Sequence, residues 1–270
     1  MRETEQKKEN GSMLNEKCTI LIPARMESSR LPGKALKEIG GIPMIVHVAI
    51  RSSQCSIVDR TIVCTDSADI IFECEKYGIE ACSTRWDHKN GTERIAEAAI
   101  LLELPDDQIV IDVQGDEPFV NPEYILKVAN YISQSKYGCV VPYQDFEEPD
   151  NKNRVKIVNS SDRIIYFSRS DVPNCFGQTS QPMKKHLSII GFRVSALKKY
   201  KSALPGELEK IERIELFRLI ENNIAIGTFK MDGQSLSVDT EEDYQKACRM
   251  IETDSYFSNL LNEGFFDAKN

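Results

Sequence analysis

Apolar residues cluster along this chain in two alternating styles. Short runs rich in β-branched residues, CTILIP at 18–23, RTIVCT at 60–65 and QIVIDV at 108–113, read as buried strands. Between them, apolar positions at helical spacing predict helices over 44–54, 67–77, 93–104 and 122–133. Gly78 suits the C-terminal cap of the second helix. Strands alternating with helices imply right-handed crossovers and a mostly parallel sheet.

Beyond residue 137 the pattern changes. Segments 138–142, 155–159, 164–168 and 186–193 are strand-like, and few helical stretches separate them. This predicts antiparallel or mixed sheet. Residues 174–182 read as a loop and 207–222 as a helix; 238–252 reads as a helix opened by the capping-type sequence DTEED. The expected organisation is a flexible segment over 1–17, one domain over 18–252 and a tail over 253–270. Phe257, Phe265 and Phe266 suggest that part of the tail docks.

Charge narrows the function. The 270 residues include 34 Lys+Arg and 42 Asp+Glu, a net charge of -8, which disfavours a protein built to grip nucleic acid. No apolar run approaches the ~20 residues that span a bilayer. The charged N-terminus lacks the apolar core of a secretory signal. A soluble, cytoplasmic protein with no membrane partner is expected. The eight cysteines are scattered without a CxxC pair, so they read as buried thiols rather than disulfides or zinc ligands.

Two nucleotide signatures are missing. Ser28 stands where a P-loop needs its first glycine and Ala35 follows Gly33-Lys34, and no GxGxxG follows the first strand. Instead PARMESSRLPGK (23–34) places Arg25, Arg30 and Lys34 in a loop with Ser28, Ser29 and Gly33. Backbone N–H groups freed by small residues, together with these cations, suit a triphosphate; a solvated basic loop is the alternative. VQGDEP (113–118) sets Asp116 and Glu117 after a buried strand, where carboxylates can hold Mg²⁺ or simply form a turn with a helix cap. Asp239, in SVDTEED, is either a second metal ligand or the cap of the last helix.

Taken in order, SRLPGK, DHKNGTER (87–94), VQGDEP, VKIV (155–158), YFSRSDVP (166–173), KKHLSIIGFR (184–193), LEKIERIE (208–215) and VDTEED resemble the 3-deoxy-manno-octulosonate cytidylyltransferase family, which makes CMP-Kdo. The resemblance runs from about residue 20 to 251. It implies an α/β, Rossmann-like nucleotide-diphospho-sugar transferase fold and a homodimer joined at or near the mixed-sheet segment. The substrates it implies are CTP and a 2-keto sugar acid, with Mg²⁺ as cofactor, for bacterial surface polysaccharide or lipopolysaccharide synthesis. Matched by position, Arg25 and Lys34 correspond to triphosphate-binding cations, with Ser28, Arg30 and Gly33 in the same loop. Asp116 and Asp239 correspond to the metal ligands. Gly91, Thr92 and Arg94 fall in the segment lining the nucleotide, and Gln114, Arg169, His186 and Glu215 correspond to sugar-acid contacts. A core role is the other reading of His186.

Two positions depart from the family pattern. Ile190 stands where a tyrosine is common, and Leu216 where a glutamine is common. Both replace polar groups on the sugar side, so a less polar relative of Kdo is one expectation. Ser188 or Arg193 supplying the missing bonds, with Kdo retained, is the other. A non-catalytic nucleotide-sugar binder and a transferase for another nucleotide or sugar are the competing functions.

Overall fold

The computed structural model describes residues 17–28, 30–174, 182–233 and 236–268. β1 (Cys18–Pro23) is followed by the small hairpin β2 (Glu38–Ile39) and β3 (Ile42–Pro43), then α1 (Met44–Ser53). The alternation continues through β4 (Val58–Thr65), α2 (Ala68–Lys76), β5 (Glu80–Ser83), α3 (Gly91–Leu101), β6 (Ile109–Val113) and α4 (Pro122–Gln134). The strand-rich part comprises β7 (Cys139–Val140), β8 (Tyr143–Phe146), β9 (Lys156–Ser160), β10 (Arg163–Ser168), β11 (Met183–His186) and β12 (Ile189–Arg193). The chain ends with α5 (Val194–Ser202), α6 (Glu207–Glu212), α7 (Phe217–Glu221), β13 (Ile226–Gly227), α8 (Glu241–Ile251) and α9 (Ser255–Asn262).

The main sheet runs β5-β4-β1-β6-β12-β7-β13-β10-β9-β11-β8. The first four strands are parallel, as the alternating pattern requires. From β12 onward the pairings are antiparallel apart from β13 with β7, so the mixed part is the larger. β1 and β6 are neighbours with successive connections leaving to opposite sides, which opens a crevice at their carboxyl ends.

Both faces of the sheet are covered around β1 and β6. One core layer packs residues such as Ile20, Ile22, Ile111 and Val113 against Ile45, Ile70 and Ile125 of α1, α2 and α4. The other packs Leu21, Val110 and Phe192 against Ile95 and Leu197 of α3 and α5. β1 and β6 are therefore buried on both sides, which explains their near-continuous apolar runs.

Several elements differ from expectation for local reasons. α3 begins two residues early because the Asn90 side chain caps it, accepting from Glu93 N at 2.8 Å. The run 186–193 is two strands: β11 pairs with β8 and β9, and after Leu187 and Ser188 the chain joins β6 and β7 as β12. The helix expected over 207–222 breaks at Arg213, a left-handed residue with φ 54, and resumes as α7. Residues 214–216 become a turn at the crevice. Most of the loop expected over 174–182, with Cys175 in it, lies outside the described residues, as do residues 1–16. The seven described cysteines are free thiols. No helix among the described residues is long and apolar enough to cross a membrane.

The tail docks through two of its three phenylalanines. Phe257 and Phe266 are buried and each packs 5.2 Å from the His47 ring, while Phe265 is half exposed. Asp254 pairs with Arg51 at the end of α1. His47 is fully buried, bonds to the Ile39 carbonyl oxygen at 2.7 Å, and burial lowers its pKa from 6.5 to about 4. Between those values the unfolded chain takes up a proton that the folded chain refuses, so stability falls as pH drops through this window. At pH 5 the expected loss from His47 is about 2 kcal/mol relative to neutral pH. Denaturant unfolding at pH 7 and pH 5 should show that loss in the wild type and a smaller one in His47→Leu; equal losses would acquit His47.

Candidate active site

Three segments meet at the carboxyl ends of β1 and β6. The loop after β1 turns at Gly33, whose φ of 65 suits a residue without a Cβ, and a short 3₁₀ turn over Lys34–Leu36 presents the lysine. The loop after β6 carries Asp116. Gly115 lets it approach β1 closely: a Cβ there would stand 2.9 Å from the Pro23 carbonyl oxygen. The segment before α8 carries Asp239, and it is tied to the β6 loop by Val238 N donating to Asp116 O at 2.9 Å. Neither aspartate caps a helix. Asn121 caps α4, and Thr240 with Asp243 forms a capping box on α8.

Asp116 and Asp239 thus converge although 123 positions separate them in sequence, 239 minus 116. Lys34 Nζ lies 2.6 Å from Asp116 Oδ2 and 3.1 Å from Asp239 Oδ1, and Arg30 pairs with Asp239 at 3.0 Å. Burial pulls the Lys34 pKa down, but the Asp116 and Asp239 carboxylates outweigh it and leave it raised. One cation therefore already sits between the two carboxylates. Among the described residues no group of three or more His, Cys, Asp or Glu could hold a metal. Two carboxylates converging on a cation, beside a basic loop, fit Mg²⁺, which commonly uses one or two carboxylates together with phosphate oxygens.

Two clefts flank this point. The first, about 290 Å³, is lined by Arg25, Ser28, Arg30 and Lys34 on one side and by Asn90, Gly91 and Arg94 on the other. Arg25 and Arg30 are exposed at its mouth. Arg94 is buried, held by Asp66 at 2.8 Å and the Thr84 hydroxyl at 2.7 Å. The second, also about 290 Å³, contains Arg169, His186 and Glu215. Gln114 and Asp116 line both.

The expected sugar-side residues therefore share one cleft. Arg169 is braced by the carbonyl oxygens of Glu212, Lys152 and Arg213, accepting from Nε, Nη1 and Nη2. Burial and the nearby Lys185 lower the His186 pKa to about 4, so its ring is neutral at pH 7. Burial raises the Glu215 pKa against two bonds from Thr92, from its N at 3.3 Å and its Oγ1 at 2.5 Å. Thr92 is fully buried and spends its donors on Glu215. Ile190 and Leu216 line the same cleft, as does Ser188. Arg193 turns away, donating to the carbonyl oxygens of Asp107, Ile132 and Ser133.

Some site residues gave weak signals in the sequence. His88 lines the first cleft and bonds to Glu97 at 2.6 Å. Asp112 lies beneath Gln114, fully buried; burial, with Glu215 and Asp116 nearby, pushes its pKa well above the usual carboxylate range despite the bond from Gln114. Its signal was one acid within an apolar strand.

A basic loop at the switch point of an α/β sheet, two converging carboxylates and paired clefts define the class: a nucleotidyltransferase. Residues 19–226 match the cytidylyltransferase family model. A 3-deoxy-manno-octulosonate cytidylyltransferase from Wolinella succinogenes is 37% identical over 243 residues, covering 86% of this chain and 98% of that protein. One from Rickettsia canadensis is 39% identical over 246 residues, covering 89% and 98%. A solved CMP:2-keto-3-deoxy-manno-octonic acid synthetase complexed with CTP superposes with a TM-score of 0.82 at 32% identity, covering 88% of this chain and 99% of that one. A putative glucose-1-phosphate thymidylyltransferase from Bacillus anthracis, TM-score 0.64 at 16% identity, shares the fold. The chain belongs to the 3-deoxy-manno-octulosonate cytidylyltransferase family, and it is a CTP-using enzyme.

Proposed function

We propose that this enzyme transfers CMP from CTP to the anomeric hydroxyl of Kdo or a close relative and releases pyrophosphate. The observation that carries this is the pair of clefts sharing Gln114 and Asp116, a basic one suited to a triphosphate and one suited to a sugar acid. Arg25, Arg30 and Lys34 bind the phosphates, with Ser28 and Gly33 shaping the loop, and Gly91 and Arg94 border the nucleoside. In the second cleft, the unused guanidinium N–H groups of Arg169 suit the substrate carboxylate. Neutral His186 and Glu215 bond to sugar hydroxyls.

The reaction is mainly positioning and charge stabilisation, with no covalent enzyme intermediate. Asp116 and Asp239 would hold Mg²⁺, which when bound lowers the pKa of a hydroxyl and offsets phosphate charge. Lys34 leaves the carboxylates for the phosphates and offsets the charge growing on pyrophosphate. A pyrophosphate-release assay with CTP, Mg²⁺ and sugar acids tests the reading; no release with any acid supports the non-catalytic binder. Release with UTP, ATP or GTP exceeding that with CTP supports the other-nucleotide alternative. Asp116→Asn and Asp239→Asn should each lower turnover by ~10²-fold or more with circular dichroism unchanged. Near-normal rates in both would remove them from the mechanism.

The acceptor's identity turns on Ile190 and Leu216, whose apolar walls cannot satisfy hydroxyls. A hydroxyl buried there loses roughly 1–3 kcal/mol per unmade bond, which favours an acid with a deoxy, methyl or acylated group on that side. kcat/KM across Kdo and related 2-keto acids should peak at such a relative, and Ile190→Tyr/Leu216→Gln should shift it toward Kdo. A wild-type optimum at Kdo, unimproved by the double replacement, contradicts this; Ser188 is then the compensating group.

We also propose a cytoplasmic homodimer joined through the mixed part of the sheet. Exposed Ile165, Leu204 and Ile211 on that half support it. Light scattering should give twice the chain mass; a monomer at working concentration would overturn it. The product would feed sugar-acid transfer into surface polysaccharide or lipopolysaccharide.

A further inference from the structure

Asp112 is the only polar residue of β6 and is completely buried. On β6 it shares a face with Val110, and its cross-strand neighbours are Leu21 of β1 and Ile190 of β12. Both of its carboxyl oxygens lie 2.9 Å from one donor, Gln114 Nε2. No other hydrogen bond to the Asp112 carboxyl group is present among the described residues. A carboxyl group placed so deeply with one partner is costly, and an apolar residue would fill the position at less cost. Costs of this kind are retained where they serve function.

The partner points to that function. Gln114 follows two residues later, just past the end of β6, and lines both clefts. A free glutamine amide can present either its NH₂ or its carbonyl oxygen to a ligand. With the NH₂ held below by Asp112, the carbonyl oxygen is left for the ligand. Gln114 Oε1 lies 3.6 Å from where a Cβ on Gly91 would stand. Gly91 borders the first cleft, and the next residue, Thr92, holds Glu215 of the second. The acceptor thus sits at the seam between the two clefts.

We propose that Asp112 is a positioning residue: it fixes the Gln114 amide so that Oε1 is a directed acceptor for a hydroxyl of the bound sugar acid. The proposal rests on assigning the second cleft to the sugar acid. It also gives that cleft a source of selectivity beside Ile190 and Leu216. An oriented acceptor rejects a ligand lacking the hydroxyl, whereas an apolar wall discriminates weakly.

The test uses full-length enzyme with Asp112→Asn, Asp112→Val and Asp112→Ala. Asn keeps an acceptor for Gln114 Nε2, whereas Val and Ala remove it. In the Val or Ala variant, the KM for the sugar acid should rise roughly tenfold, the worth of one directed bond, with the KM for CTP unchanged. The thermal midpoint of Val should hold or rise, because a buried carboxyl is gone. Asn should keep a near-normal sugar-acid KM. Adding Asp112→Val to Gln114→Met should cost nothing beyond Gln114→Met alone, since Asp112 acts through that amide. A purely structural Asp112 would instead give a lower midpoint with both KM values unmoved, or both moved together, and either result overturns the proposal. A tenfold rise in Asn as well would also overturn it. Wild-type enzyme that releases no pyrophosphate with any sugar acid would overturn the functional reading beneath it; an active wild type with an unmoved sugar-acid KM in Val and Ala overturns the positioning role alone.

Discussion

Two like charges held at one point are the constraint on which this site depends. Lys34 lies between Asp116 and Asp239, at 2.6 and 3.1 Å, and offsets the repulsion between them. The backbone bond from Val238 N to Asp116 O fixes the two segments independently of that charge. The β1 loop must deliver Lys34, the β6 loop must turn tightly at Gly115, and α8 must start at Thr240 rather than at Asp239. The tail contributes indirectly: Phe257 and Phe266 pack around His47 on α1, the helix that follows the Lys34 turn and the β2–β3 hairpin.

The cation between the carboxylates also orders the chemistry. With Lys34 in that place and Arg30 on Asp239, two cations face the two carboxylates within the protein. In the proposed reaction, phosphates in the first cleft would draw Lys34 away and leave the carboxylates to a divalent ion.

Much of this was legible in the sequence, for reasons that differ by element. β1, β4 and β6 announced themselves because strands buried on both faces are continuous apolar runs. SRLPGK, DHKNGTER and VQGDEP marked the first cleft because its lining residues lie close together in sequence within each of these motifs. The strand-like segment 138–142 holds Cys139–Val140, but Tyr143–Phe146 and Ile226–Gly227 were not resolved as strands, being too short to show a period. The break at Arg213 was hidden too, because a left-handed arginine has no signature in residue type; tertiary contacts of Glu215 with Thr92 accompany the turn. No local pattern could join Asp116 to Asp239, or reveal that Arg193 faces carbonyl oxygens of the α4 end while Ser188 faces the cleft. The first follows from the bond of Val238 N to Asp116 O and the others from β12 lying beside β6, both pairings between distant segments.

The sharpest test of the central claim is where a divalent ion binds. Crystals grown with CTP and Mn²⁺, measured for anomalous scattering, should show one ion in direct coordination with both Asp116 and Asp239, and Lys34 turned to the phosphates. An ion that touches neither aspartate, or a Lys34 still bridging both carboxylates with nucleotide bound, would contradict the account.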